Sequence, residues 1–135
     1  MSYKEALKLA GNTEVHLYEQ YGSYQGRWLA LVTHEGKTGW LIEYYGSCSG
    51  CDPFESKLGY SGHEHPDNKW FDPFWDEKGF DSSCGRCTIF KKSVVEFAEG
   101  YFERIKTRKE ALGELQREME WDPEAREMIE FIQKH

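Results

Sequence analysis

The four cysteines of the chain form two pairs with the same spacing. Cys48 and Cys51 lie in the segment GSCSGC, and Cys84 and Cys87 are the ends of the segment CGRC. Two intervening residues let the chain turn back, so that both thiolates of a C-x-x-C pair can bind one ion. Each insert contains a glycine, which helps backbone amides to face the sulfur atoms. The spacing therefore predicts one structural Zn²⁺ ion, bound by Cys48, Cys51, Cys84 and Cys87.

Three other interpretations of the four cysteines remain open at this point. They are unliganded reduced thiols, a redox-active pair and an iron–sulfur cluster. A redox role is disfavoured because thioredoxin-like motifs belong to a βαβ context, which this sequence lacks. The long insert between the pairs is no obstacle to zinc, since closing a longer loop adds little entropic cost. Four protein ligands would fill the coordination sphere, so the zinc is expected to be structural and not catalytic.

The elements before the first cysteine pair are predicted from periodicity. A short helix is expected near residues 3–10. Three β-rich runs follow, separated by turn residues: TEVHLYEQY, RWLALVTH and TGWLIEYY. Short runs of this kind predict a three-stranded antiparallel meander. Apolar residues occupy both faces of the second and third runs, so we expect the second face of the sheet to be covered in part.

The sequence after Cys87 is typical of helices. Ser93 to Glu96 and Thr107 to Glu110 each read as a capping box, and Asp122-Pro123 reads as an N-cap followed by proline. Apolar residues recur at helical spacing after each of these signals. Residues 46–87 show no sustained period and are expected to form a long loop clamped by zinc. We therefore predict an α+β fold in one zinc-stabilised domain over residues 1–135, with a helical C-terminal half.

An aromatic and acidic segment, KWFDPFWDEKGFD, lies inside the predicted loop. Exposed Trp and Phe residues are common anchors of protein interfaces. The candidate partner-binding residues are Trp70, Phe71, Phe74 and Trp75. The alternative interpretation is that these four aromatic residues cover the second face of the sheet as a small core.

The segment HEHPDN offers a second candidate metal site. His63, His65 and Asp67 follow the H-x-H-x-D pattern of metallo-hydrolases, in which two imidazoles and a carboxylate bind a catalytic metal. The pattern of those enzymes continues with a further histidine, where this chain has Asn68. The default interpretation is therefore a polar, solvated loop.

The charge of the chain bears on its partners. A net charge of −7 over 135 residues disfavours nucleic acid and anionic lipid as general partners. Local basic candidates are Arg86, Lys91 and Lys92, followed by a cluster over residues 104–109. No stretch approaches the length of apolar residues that spans a bilayer, and no leader is evident at the start. We expect a cytoplasmic protein without a membrane partner.

The two cysteine pairs lie at a predicted strand end and near a predicted helix start. This placement resembles treble-clef and zinc-ribbon-like zinc sites, although the Cys-Pro-x-Cys-Gly knuckle usual there is not present. The resemblance implies one structural zinc, and no function follows from it. The chain as a whole resembles uncharacterised proteins of bacteriophage genomes, which implies a viral accessory protein.

These observations favour a non-enzymatic, zinc-stabilised protein-interaction or regulatory module. One version is an acidic decoy for a nucleic-acid-binding partner, in which carboxylates stand in for phosphates. The first alternative is a nucleic-acid-binding zinc module that uses the basic residues. The second alternative is a small metallo-hydrolase that uses His63, His65 and Asp67.

Overall fold

The computed structural model of the chain describes residues 3–22, 26–46, 53, 58, 63–64, 70–71 and 83–135, with the backbone alone for 70–71. In chain order, these residues form α1 (Tyr3–Leu9), β1 (Thr13–Gly22), β2 (Gly26–His34), β3 (Lys37–Tyr45), β4 (His63–Glu64), β5 (Trp70–Phe71), α2 (Gly85–Phe102), α3 (Arg108–Glu118) and α4 (Pro123–Lys134). The predicted α+β class and the helical C-terminal half are confirmed. Among these helices, none is both long and apolar enough to cross a membrane.

The predicted antiparallel meander is also confirmed. Strand β2 pairs with β1 on one side and with β3 on the other. Glu35 and Gly36 form the two-residue turn between β2 and β3, with φ angles of 50° and 83°. Two consecutive positive φ angles are characteristic of a type I′ hairpin, whose twist matches that of the strands it joins. Glycine is suited to this turn because it adopts positive φ without a steric penalty.

The sheet has a hydrophobic core on each face. Alternation along β2 sends Trp28, Ala30 and Val32 to the first face and Leu29 to the second. The first face packs against α1 and α2, and the second packs against α3 and α4. The expected coverage of the second face is thus confirmed, and among the described residues α3 and α4 provide it.

The linker between α2 and α3 crosses the edge of the sheet beside β3. Trp40 and Lys106 exchange two backbone hydrogen bonds, each of 2.8 Å. Gly39 allows this close approach, since a Cβ atom there would lie 2.5 Å from the carbonyl oxygen of Lys106. The linker thereby carries the chain from the first face of the sheet to the second.

One predicted helix start is wrong. Helix α2 begins at Gly85, so Ser93 lies inside it and its hydroxyl donates to the carbonyl of Ile89 at 3.3 Å. An S-x-x-E sequence does not mark the start of a helix where the residues before it are already helical. The capping box of Thr107 and Glu110 is present, and Asp122 caps α4 with Pro123 in the first turn.

Candidate metal centre

The N-terminus of α2 positions the second cysteine pair. Cys84 is the N-cap residue, with an extended backbone, and Cys87 lies in the first turn of the helix. The amide of Thr88 donates to the carbonyl of Cys84 at 3.0 Å, which closes the turn between the two cysteines. Both side chains are buried, with 3% of Cys84 and none of Cys87 exposed. The C-x-x-C spacing thus places two thiols side by side beneath the surface.

Strand β4 brings a histidine to the same position. His63 pairs with Phe71 of β5, and only 7% of it is exposed. Its Nε2 atom lies 3.3 Å from Sγ of Cys84 and 3.5 Å from Sγ of Cys87. The three potential ligand atoms all lie within 4.8 Å of one another, so His63, Cys84 and Cys87 could hold a metal ion.

These separations fit a shared tetrahedral ion. With Zn–S near 2.3 Å and Zn–N near 2.0–2.1 Å, tetrahedral angles place a nitrogen and a sulfur ligand about 3.6 Å apart. The distances from His63 Nε2 to the two sulfur atoms, 3.3 and 3.5 Å, are close to that value. Imidazole and thiolate are also the donors that Zn²⁺ prefers. The donor set and its geometry therefore suit zinc.

The surroundings favour the form of Cys84 that binds metal. The pKa of its thiol is lowered from 9.0 to about 7, chiefly by the backbone N–H of Cys87. Burial opposes this shift, and hydrogen bonds with His63, with the Cys87 thiol and with the backbone of Arg86 add to it. Amides at the start of a helix stabilise a nearby negative charge, and the thiolate is the form that coordinates metal.

The structure brings together part of the predicted ligand set. Cys84 and Cys87 are adjacent, whereas Cys48 and Cys51 lie outside the described residues. His63 joins the second pair, so the interpretation of this position as part of a solvated loop is wrong. In the sequence, His63 has only its local spacing as a signal, and that spacing places it in the H-x-H-x-D pattern. His65 and Asp67 lie outside the described residues.

The predicted partner-binding aromatic residues are described only in part. Trp70 and Phe71 form β5, which pairs with β4 and so supports the position of His63. Their side chains are not described, and Phe74 and Trp75 lie outside the described residues. The structure therefore fixes a role for this segment in the backbone of the β4–β5 hairpin.

The two groups of basic residues differ in their surroundings. Arg86, Lys91 and Lys92 are exposed on α2, whose first turn carries no acidic residue. In the second group, Arg104 donates to Glu43 at 2.7 Å, and Lys106 lies 3.3 Å from Glu114. The second group is thus neutralised in part within the chain, and the start of α2 is the stronger candidate for binding an anion.

The second face of the sheet holds a buried arginine that no sequence motif marks. Arg27 is only 2% exposed and forms ion pairs with Glu118 and, at 3.0 Å, with Asp122. Its guanidinium also lies over the ring of Tyr44, 4.7 Å from the centroid. Burial alone would lower the pKa of Arg27, but the interactions with Glu118, Tyr44 and Asp122 together raise it. Strand alternation, which puts Arg27 on the same face as Leu29, was the available signal.

No family model, no curated protein and no solved structure matches this chain. What can be inferred about its function therefore rests on the geometry of its own residues.

Proposed function

We propose that the chain is a non-enzymatic, zinc-stabilised protein-interaction module. Cys84 and Cys87 would provide two ligands to one Zn²⁺ ion, and the other two would come from Cys48, Cys51 and His63. The observation that carries this proposal is the buried contact of His63 with both thiols at the start of α2.

The burial of this cluster supports a structural role for the metal. A catalytic zinc needs a position open to water and substrate, whereas a structural zinc is closed by protein ligands. Cys84, Cys87 and His63 are at most 7% exposed. Because His63 contacts two thiols, it would bind a metal together with them and not with the imidazole and carboxylate that a metallo-hydrolase would need.

The position of the cluster supports a link between metal binding and folding. His63 belongs to the short β4–β5 hairpin, and the two cysteines lie at the start of α2, whose buried face packs on the sheet further along the helix. A two-stranded hairpin is at best marginally stable alone in water. A metal bound by both elements would fix the hairpin to the core, and ligands that meet only after folding make metal binding part of the folding free energy.

An interaction role is supported by apolar side chains that remain exposed. Among the described residues, Tyr44, Ile89, Met119 and Trp121 are large hydrophobic residues with 38–69% of their area exposed. Tryptophan and tyrosine are enriched among the residues that dominate binding energy at protein interfaces. The acidic character of the chain favours a partner with a basic surface.

The test of the metal centre is a measurement of metal content, stability and ligand type on the same preparation. We expect one zinc per chain, a large fall in melting temperature after chelation, and recovery when zinc is restored. X-ray absorption at the zinc edge separates sulfur ligands near 2.3 Å from nitrogen ligands near 2.0–2.1 Å. A nitrogen ligand that disappears in His63→Ala assigns His63 to the first coordination sphere.

Two variants provide the contrast. Cys84→Ser removes a thiol of the cluster and is expected to lose zinc, whereas His16→Ala removes an imidazole that bonds to Thr33 on the sheet and is expected to keep it. Protein purified under native conditions that holds no metal, and whose melting temperature is the same before and after chelation, would overturn the proposal.

A second candidate function is a nucleic-acid-binding zinc module. The observation that favours it is the exposed basic group of Arg86, Lys91 and Lys92 beside the metal cluster. Binding of this kind weakens steeply with salt, because phosphate contacts release counterions. Salt-dependent binding to DNA or RNA that is lost in Lys91→Gln/Lys92→Gln would favour this candidate, and no binding at low salt would exclude it.

A further inference from the structure

The short connection between α3 and α4 carries an exposed tryptophan. Trp121 is 67% exposed, and Met119, in the same connection, is 38% exposed. Tyr44 of β3 is 50% exposed and lies over Arg27, which binds residues at both ends of the connection. We refer to Tyr44, Met119, Glu120 and Trp121 together as the turn surface.

The backbone of this connection is fixed on both sides of Trp121. The amides of Trp121 and Asp122 both donate to the carbonyl of Glu118, at 3.2 and 2.9 Å. Asp122 also accepts from the amide of Glu124 at 3.0 Å, as the cap of α4. Buried Arg27 binds the side chains of Glu118 and Asp122 and so joins both helix ends to β2. The exposed indole is therefore presented on a preorganised backbone, which lowers the entropic cost of binding.

The charge around the indole is negative. Carboxylates occur at alternate positions from Glu118 to Glu124, and Arg27 neutralises only part of them. Glu120 is exposed next to Trp121. The pKa of Glu124 is raised chiefly by burial and next by the negative charge of Asp122, while the charge of Arg27 opposes the shift.

The chain already binds guanidinium groups with this combination of side chains. Arg27 lies between two carboxylates and the face of Tyr44. Arg104 lies 4.8 Å from the ring centroid of Tyr101 and donates to Glu43. An aromatic face beside a carboxylate attracts a cation both through the ring quadrupole and through charge. Trp121 and Glu120 present the same pair of groups to the outside.

We propose that the turn surface binds an arginine- or lysine-rich segment of a partner protein, with Trp121 as the aromatic anchor and Glu120 as the neighbouring anion. This inference rests on the proposed interaction function and identifies the surface and the chemistry of the partner. An exposed tryptophan gives the apolar contact area, and the carboxylates select positive charge.

The test uses the zinc-loaded full chain and a labelled glycine–serine peptide that carries four arginines. A peptide with glutamate in place of arginine is the negative control. In ¹⁵N spectra, we expect the indole N–H of Trp121 and the amides of residues 118–124 to shift on addition of the arginine peptide. Trp121→Ala should weaken the affinity by about tenfold, the effect of losing an anchor residue at an interface.

Matched variants separate this surface from general attraction to an acidic protein. Ile89→Ala removes an equally exposed apolar side chain on α2, and Glu99→Gln removes one exposed negative charge, as Glu120→Gln does. We expect both controls to bind as the unaltered chain does, and Glu120→Gln to bind at least about twofold more weakly than Glu99→Gln.

Equal loss in Glu120→Gln and Glu99→Gln, or equal affinity in Trp121→Ala and Ile89→Ala, would overturn the proposal. Metal content and melting temperature are recorded for every sample. A chain with full zinc and normal melting that does not bind the peptide contradicts only the turn surface. A chain that needs no metal to fold contradicts the zinc centre and leaves the peptide result unaffected.

Discussion

The imidazole Nε2 of His63 lies 3.3 Å from the thiol of Cys84, although 21 positions separate the two residues in the chain. This contact joins the β4–β5 hairpin to the start of α2. Imidazole and thiol groups can bind either a proton or a metal ion, so protons and a metal ion compete for this site.

Zinc affinity should therefore depend on pH around the pKa of Cys84, which is about 7. Above this pH the thiol is already ionised and releases no proton on binding. Below it, each further unit of acidity should weaken binding by up to about tenfold through this group alone. Competition with a chromophoric chelator at pH 6, 7 and 8 measures the change. An affinity that rises as steeply between pH 7 and 8 as between pH 6 and 7 would contradict the lowered pKa.

The metal-free chain should show a matching dependence of stability on pH. The pKa of Cys84 is depressed in the folded state from 9.0 to about 7. Between these values the unfolded state binds more protons, so this group stabilises the fold above pH 9 and loses that contribution as the pH falls to 7. Melting curves of the metal-free chain should show a rise from pH 7 to 9. The rise should be smaller in Cys84→Ser.

Thr107 and Ser93 should respond differently to replacement by alanine. Thr107→Ala removes the hydroxyl that accepts from the amide of Glu110 at 3.1 Å, and loss of such a cap costs about 1 kcal/mol in the free energy of unfolding. Ser93 lies within α2, and among the described residues its hydroxyl bonds only backward along its own helix. Ser93→Ala should therefore change stability by less than about 0.5 kcal/mol. Urea unfolding measures both. A larger loss in Ser93→Ala would argue for a helix that starts there.

Two glycines should give opposite results when changed to alanine. Gly100 is exposed within α2, and a Cβ atom there meets nothing within 4 Å. Gly100→Ala should stabilise the fold by up to about 1 kcal/mol, the difference in helix propensity. Gly39→Ala should destabilise it, because the added carbon would lie 2.5 Å from the carbonyl of Lys106. Thermal melting of the two variants tests both signs, and a stabilised Gly39→Ala would contradict the close approach of the linker.

Removal of Arg27 should destabilise the fold, because two carboxylates would lose the cation that pairs with them. Arg27→Met leaves the carboxylates of Glu118 and Asp122 without their buried cation. Breaking a buried ion pair in this way lowers the free energy of unfolding by about 3–5 kcal/mol. Adding Glu118→Gln and Asp122→Asn should restore part of the loss, since neutral amides need no counter-charge. Denaturant unfolding of the series measures this. No recovery in the triple variant would show that packing, not charge, dominates at Arg27.

Much of the fold could be predicted because its signals are local. Alternation in RWLALVTH identified the two faces of β2, and the caps at Thr107 and Asp122 marked α3 and α4. The start of α2 could not be found in the same way, because Cys84, the N-cap residue of this helix, makes no side-chain cap hydrogen bond. The position of His63 is a tertiary contact, which the period of the sequence does not encode.

The hydrogen bonds between Trp40 and Lys106 have a consequence for self-association. A strand at the margin of a sheet can recruit a strand from another molecule and so begin a fibril. The amide and the carbonyl of Trp40 already form hydrogen bonds with Lys106 of the same chain. Gly39, which has no side chain, allows this close approach. On this side of β3, intermolecular β-pairing is therefore blocked at its centre for as long as the linker stays docked.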